Sequence, residues 1–211
     1  MRKGESLWRV GELASSFTFV TAGLVGVSVP VGARGEMLLG IAAPGDSLGE
    51  AAALVGSPRA DHAYAFSSAT AVARLPREVV NELCAARASL ALQYAQHISR
   101  RHRTADRRLV SLTLPSETRI AEIVLALAAR FGRPLDDGST VIPHRITRAN
   151  LASMVGTTVE TTIRTLSRWS REGVLSPTAG AMVITDLPAL CRVARIPAES
   201  LSSLDELTRL V

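Results

Sequence analysis

The sequence predicts an α+β chain in three parts: a β-rich domain over residues 1–75, a long helix over 76–114, and a mostly helical domain over 115–211 that carries a winged helix-turn-helix. Three observations predict it. Ten of the fifteen glycines lie in residues 1–56 and none between 57 and 131, so tight turns crowd one end of the chain. No Gly or Pro interrupts residues 77–114. Residues 147–173 set two short apolar-faced stretches on either side of Gly156.

In the first part, Phe17, Phe19 and Thr21 alternate ahead of an Ala22-Gly23 turn, and Val25, Val27 and Val31 alternate along Leu24 to Val31. Gly32-Ala33-Arg34-Gly35 reads as a turn, Met37 to Ile41 as a strand, Pro44-Gly45-Asp46 as another turn, and Ala63 to Ala73 as further strand material. Many short strands with frequent Gly turns favour a sandwich, jelly roll or barrel.

From Pro76, which suits a helix's first turn, the period changes. Val79, Val80, Leu83 and Cys84 recur at helical spacing, and Leu90, Tyr94 and Ile98 continue at i, i+4, i+8. One helix, or two with a small break, is expected. That exceeds the usual ~11–12 residues. A partner helix is the economical cover for so long a stripe, so a parallel homodimer is expected. The alternative is packing on the chain's own β domain.

Pro115 ends this stretch. Ser116-Glu117 opens a helix with Ile120, Ile123, Val124, Leu127 and Ala128 on one side, stopped by Gly132 and Pro134, and residues 136–139 form a loop. Thr147 caps a short helix whose inner face is Leu151, Ala152, Met154 and Val155. Gly156 supplies the turn. Thr158 caps a second helix with apolar Ile163, Leu166 and Trp169, ended by Gly173. This is a helix-turn-helix, and Val174-Leu175 with Met182-Val183-Ile184 supply two strands of a wing. The second helix exposes Glu160 and Arg164 one turn apart near its start, where a recognition helix enters the major groove. Arg donates twice to guanine and Glu accepts from cytosine N4. Arg168 and Arg171, further along, suit phosphates. The competing reading is a Glu160–Arg164 surface ion pair.

The net charge is +5, but residues 73–110 alone carry eight basic and three acidic side chains. Lys3 is the only lysine, so nearly all the positive charge sits on guanidinium groups, which pair bidentately with phosphate and guanine. No apolar run reaches the roughly 18–20 residues of a membrane helix, and the first residues lack the apolar core of a secretory signal. No membrane association and a cytoplasmic location are expected. Cys84 and Cys191 stand far apart without CxxC partners, which argues against a disulfide framework, an iron–sulfur cluster or a cysteine-rich zinc site. His62, His97, His102 and His144 have no metal-ligand spacing, so no metal and no haem are expected. Cys84 shows no local signature of a thiol enzyme, and a non-enzymatic protein is expected.

The stretch ITRANLASMVGTTVETTIRTLSRWSREGVL, residues 146–175, resembles the signature of the CRP/FNR family of bacterial transcription regulators. The resemblance covers nearly the whole chain. It implies a cyclic-nucleotide-binding-type β roll (a jelly roll), a long dimerisation helix and a winged helix-turn-helix. It places Thr147, Arg148, Thr158, Val159, Glu160, Thr161, Arg164, Arg168 and Arg171 at the DNA interface, with Glu160 and Arg164 as base readers. Val159 stands where cyclic-AMP receptor proteins have Arg, which matches the FNR-like version. Residues 48–60, LGEAAALVGSPRA, look like a phosphate-binding cassette. The resemblance makes Gly49, Glu50, Arg59, Ala60, Arg100 and Thr104 candidate cyclic-nucleotide contacts. Glu50 would take the ribose 2′-hydroxyl, Arg59 the cyclic phosphate, and backbone N–H groups near Gly49 and Ala60 an anion nest. Arg100 would lie near the pocket and Thr104 at the adenine edge. Ala60 replaces a hydroxyl residue of many bacterial receptors, and Asp61 adds negative charge. The alternative is a retained turn in which Glu50 and Arg59 pair with each other.

The expected function is therefore a homodimeric regulator of transcription that binds a palindromic site on double-stranded DNA, works with RNA polymerase, and takes cyclic AMP as effector. The alternative is a ligand-independent, constitutive activator of the same family. A protein-interaction module without DNA binding fits less well, because Glu160 and Arg164 are both present.

Overall fold

The computed structural model describes residues 1–32, 35–178 and 180–197. Ala33 and Arg34 of the expected turn, and residues 198–211 of the expected last domain, lie outside the described residues. The described chain divides into two compact units, with the boundary between Arg103 and Thr104.

The first unit is built from β1 (Ser6–Trp8), β2 (Ser16–Ala22), β3 (Val25–Pro30), β4 (Glu36–Ala42), β5 (Ser47–Leu48), α1 (Glu50–Val55), β6 (His62–Ala65), β7 (Ala71–Pro76), α2 (Arg77–Ala86) and the first part of α3 (Ala88–Ser111). Its strands form two antiparallel sheets, ordered β1-β6-β3-β4 and β5-β2-β7. Both sheets contribute to one core of Leu7, Trp8, Val20, Val25, Val27, Ala42, Leu48 and Ala63, all at most 7% exposed. The alternation in β3 has a direct cause. Val25 and Val27 pair with Ala65 and Ala63 across the sheet, and small partners let the valines fill the space between sheets.

The long helical stretch is two helices. Arg87 adopts an extended conformation (φ −138°) between α2 and α3. Pro76 caps α2 from outside its first turn, at φ −54° and ψ 143°. Of the expected stripe of Leu90, Tyr94 and Ile98, the aromatic residue turns to the chain's own β roll. Tyr94 packs edge-on against Phe17 of β2, with ring centroids 5.5 Å apart, and Leu90 and Ile98 are half-buried. The β roll offers an aromatic partner that the periodicity alone could not reveal. The opposite side of α3 is open: Leu92 is 62% exposed, with Ala88, Ala95 and Ser99 exposed beside it.

The second unit holds the end of α3, then α4 (Ser116–Phe131), β8 (Arg133–Pro134), β9 (Thr140–Ile142), α5 (Arg148–Val155), α6 (Val159–Arg171), β10 (Leu175–Thr178), β11 (Ala181–Ile184) and α7 (Leu187–Ala194). The wing is larger than the sequence suggests. Its sheet runs β10-β11-β9-β8, because residues 133–142 form a hairpin around the 136–139 loop. Ile120, Ala121, Val124 and Leu125 of α4, Leu151 of α5 and Leu190 of α7 are all fully buried. Phe17 of the first unit is also fully buried, in a small cluster with Ala14 and Ala53 that Tyr94 and Val80 cover. Phe17→Ala is expected to lower unfolding free energy by about 3–5 kcal/mol in a urea titration and to lower the helical signal of α3.

Candidate functional site

Two sets of side chains draw together what the sequence singled out. The first surrounds the start of α1. Gly49 precedes the helix in a left-handed conformation (φ 69°), which glycine adopts without strain. A Cβ there would also collide with the Arg59 guanidinium, which leaves no room for any side chain. Glu50 follows and is fully buried. Its partner is Arg101 of α3, whose guanidinium meets the carboxylate as an ion pair. Burial pushes the Arg101 guanidinium down to about 10. That contact is made at Oε1; Oε2 has no hydrogen-bond partner.

Arg59 is 5% exposed. It donates through Nη1 to the Gly49 carbonyl at 2.5 Å and through Nη2 to the Ser16 carbonyl at 2.9 Å. Its Cζ lies 4.3 Å from the centroid of the Trp8 ring. The Trp8 indole N–H in turn donates to Asp61 Oδ1 at 2.8 Å. Backbone bonds from Arg59 N to Glu12 O (2.8 Å) and from Gly11 N to Arg59 O (2.9 Å) fix the segment that carries it.

The alternative pairing is corrected here. Glu50 and Arg59 do not pair with each other; each has a different partner. Arg101 faces Glu50 because the β roll meets the face of Tyr94, His97 and Arg101, and one residue on a helix turns the side chain by about 100°. His97 Nε2 lies 3.4 Å from Ser47 Oγ on that same face. Ala60 is exposed. Thr104 is buried on α3 and falls in the second unit. Trp8 and Arg101 were missed. Trp8 is apolar and reads as core, and nothing marks one arginine among the five of residues 100–108.

The second set lies on the helix-turn-helix. Thr147 Oγ1 accepts from Asn150 N and the Asn150 side chain accepts from Thr147 N, both at 3.0 Å, a reciprocal cap that starts α5. Gly156 turns the chain at φ 70°. Thr158 Oγ1 accepts from Thr161 N at 3.1 Å and starts α6. Glu160 and Arg164 project from α6 with side chains 78% and 72% exposed, 3.3 Å apart. The ion pair is present, and its exposure leaves both groups free to exchange partners at little cost.

Arg168 differs from expectation. It is bonded to Glu117 of α4, which holds its proton more tightly than usual, and approaches Glu172 at 3.9 Å. Glu117 also accepts from the Trp169 indole at 3.1 Å, so Arg168 fastens α6 to α4. Arg171 is exposed, with Nε bonded to Ser167 O at 3.4 Å. Ile163 is corrected as well: it is 46% exposed, next to Val159 at 44%, while Thr162 and Thr165 take the buried side. A cavity of about 450 Å³ opens between the start of α5, the end of α6 and the wing. Arg145, Arg148 and Arg171 edge it over Leu151, Leu166 and Met182. Arg145 was missed because it precedes the helix rather than lying on it.

Among the described residues no helix is long and apolar enough to cross a membrane, and no group of three or more His, Cys, Asp or Glu could hold a metal ion. Cys84 is half-buried on α2; Cys191 is buried on α7, and burial pushes its thiol up.

The buried Glu50–Arg101 pair generates a prediction. Arg101→Met leaves a buried carboxylate without its counter-charge and is expected to cost roughly 3–5 kcal/mol in urea unfolding. Adding Glu50→Gln is expected to restore most of that loss.

Comparison with known proteins identifies both parts of the chain. Residues 1–87 match the cyclic nucleotide-binding domain and residues 118–193 the Crp-like helix-turn-helix domain. A CRP-like cAMP-activated global transcriptional regulator of Mycobacterium tuberculosis is 26% identical over 194 residues, 92% of this chain and 86% of that protein. Among solved structures, FixK2 from Bradyrhizobium japonicum superposes with a TM-score of 0.80 at 20% identity, covering 93% of this chain and 96% of that one. A CRP-family transcriptional regulator from Thermus thermophilus superposes with a TM-score of 0.77 at 23% identity, covering 92% and 95%. With a nucleotide-binding β roll ahead of a Crp-like DNA-reading unit, the chain belongs to the CRP/FNR family of transcription regulators.

Proposed function

We propose that this regulator is a cytoplasmic homodimer whose DNA binding is controlled by cyclic AMP held at Gly49, Glu50 and Arg59. The observation that carries the ligand is Glu50: a fully buried carboxylate whose Oε1 meets Arg101 and whose Oε2 accepts no hydrogen bond. Buried acceptors without donors are costly, and a ribose 2′-hydroxyl supplies one. Arg59 supplies positive charge for the cyclic phosphate. The Mycobacterium tuberculosis relative is a cAMP-activated regulator. A ribose hydroxyl that engages Glu50 acts on the Arg101 contact, and through it on α3. Differential affinity for two positions of that helix is what a ligand switch requires.

The exposed side of α3 around Leu92 is the face we assign to the second copy. A two-fold dimer presents two α6 helices to successive major grooves, so the site is an inverted repeat with half-sites about 10–11 bp apart. Arg164 reads a guanine and Glu160 a cytosine N4 in a half-site containing GA. Thr147, Arg148, Thr158, Thr161 and Arg171 position the backbone, together with Arg145 at the cavity's edge. RNA polymerase is the partner at the promoter, and no residue is assigned a catalytic role.

A ligand-independent regulator is the second reading, favoured by the two carbonyl bonds that already satisfy Arg59. Calorimetry decides: heat on addition of cyclic AMP, abolished by Arg59→Ala, supports control by ligand. Silence at millimolar cyclic AMP and cyclic GMP leaves the ligand-independent reading.

Arg164→Ala is expected to weaken specific binding by roughly 1–3 kcal/mol and relax discrimination at its guanine, measured by mobility shift on variant half-sites. Equal weakening on random DNA contradicts base reading. Arg171→Ala is expected to weaken all sequences alike and reduce the salt slope by about one. Leu92→Glu is expected to shift sedimentation toward the monomer and to weaken binding to the full palindrome.

A further inference from the structure

Arg59 carries a full charge into a place with almost no water, and its close partners are neutral: two backbone carbonyls and the face of Trp8. Among the described residues no carboxylate stands within ion-pair distance of it. The nearest compensating arrangement is indirect. Trp8 is 4% exposed and fixed among the core side chains of both sheets. Its indole N–H points at the Asp61 carboxylate. A hydrogen bond to an anion pushes electron density into the ring, and an electron-rich ring face attracts a cation more strongly. The three groups thus form a chain, with the guanidinium over the indole face and the carboxylate at the indole edge.

We propose that Asp61, joined to Arg59 through the Trp8 indole, is the internal counter-anion of this cradle, and that a ligand phosphate binds in competition with it. Trp8 is then a positioning residue for Arg59, and Asp61 sets how much ligand is needed to occupy the site. The second half of the proposal rests on the nucleotide reading above; the first half does not. Burial pushes the Arg59 guanidinium down, and Asp61 is the strongest of the neighbouring charges that pull it back, ahead of Glu12. The carboxylate is only half-buried, so its removal leaves no orphaned buried charge of its own, and Asp61→Asn keeps an oxygen for the indole N–H.

The ligand-free test is a double-mutant cycle read by urea unfolding. Asp61→Asn is expected to lower the midpoint in the wild-type background and to leave it unchanged in an Arg59→Gln background. Equal effects in both backgrounds overturn the counter-anion. Trp8→Phe keeps a ring but removes the N–H donor, and is expected to reduce the Asp61–Arg59 coupling by at least half; unchanged coupling overturns the bridging role. The second test is calorimetry with cyclic AMP. Asp61→Asn is expected to bind about 3–10-fold more tightly than wild type, the size expected for one partly screened charge. Equal or weaker binding overturns the competition. Silence of both proteins toward cyclic AMP ends the nucleotide reading and the competition with it, while the cycle, which contains no ligand, still decides whether Asp61 neutralises Arg59.

Discussion

A carboxylate shut away from water has to be met by positive charge, and Glu50 at the start of α1 imposes that requirement on the whole first unit. Arg101 meets it from α3. Once Arg101 faces the roll, helical geometry decides the rest of that helix. His97 and Tyr94, four and seven residues earlier, lie on the same side, and they contact Ser47 and Phe17. Leu92 is thereby turned to the opposite side and left exposed. The same helix therefore has one face committed to the cradle and another open.

The second unit is governed by a different compromise. Helix α6 is held by Trp169 and Leu166 in the core and by Arg168 on Glu117. Thr162 takes a fully buried position that an apolar residue would ordinarily fill, with its hydroxyl donating to the Thr158 carbonyl. Val159 and Ile163 then stand outside beside Glu160 and Arg164. Such a surface is a poor one for water and a good one for a groove that offers both hydrogen-bonding base edges and thymine methyl groups. One arginine of α6, Arg168, is committed to holding the helix, while Arg171 and the pair at the start of α5, Arg145 and Arg148, line the cavity beside the wing.

Local signals determined much of this protein from the sequence alone. The glycine-rich first part gave strands, the Thr147 and Thr158 caps and Gly156 gave the helix-turn-helix, and the break in periodicity at Pro76 gave the first helical boundary to within a residue. These features are legible because capping, positive φ and alternation depend on neighbours a few residues apart. Glu50 and Arg59 stood out only through the resemblance of residues 48–60 to a phosphate-binding cassette. Tertiary structure alone decided who faces whom. Arg101 meets Glu50, Tyr94 turns to Phe17, Ile163 points outward, and Arg168 is tied to Glu117. Each of these depends on residues far along the chain or on the rotation of a helix about its axis. A step of about 100° per residue gives adjacent side chains different roles, and no local pattern fixes that rotation until the packed surface is present.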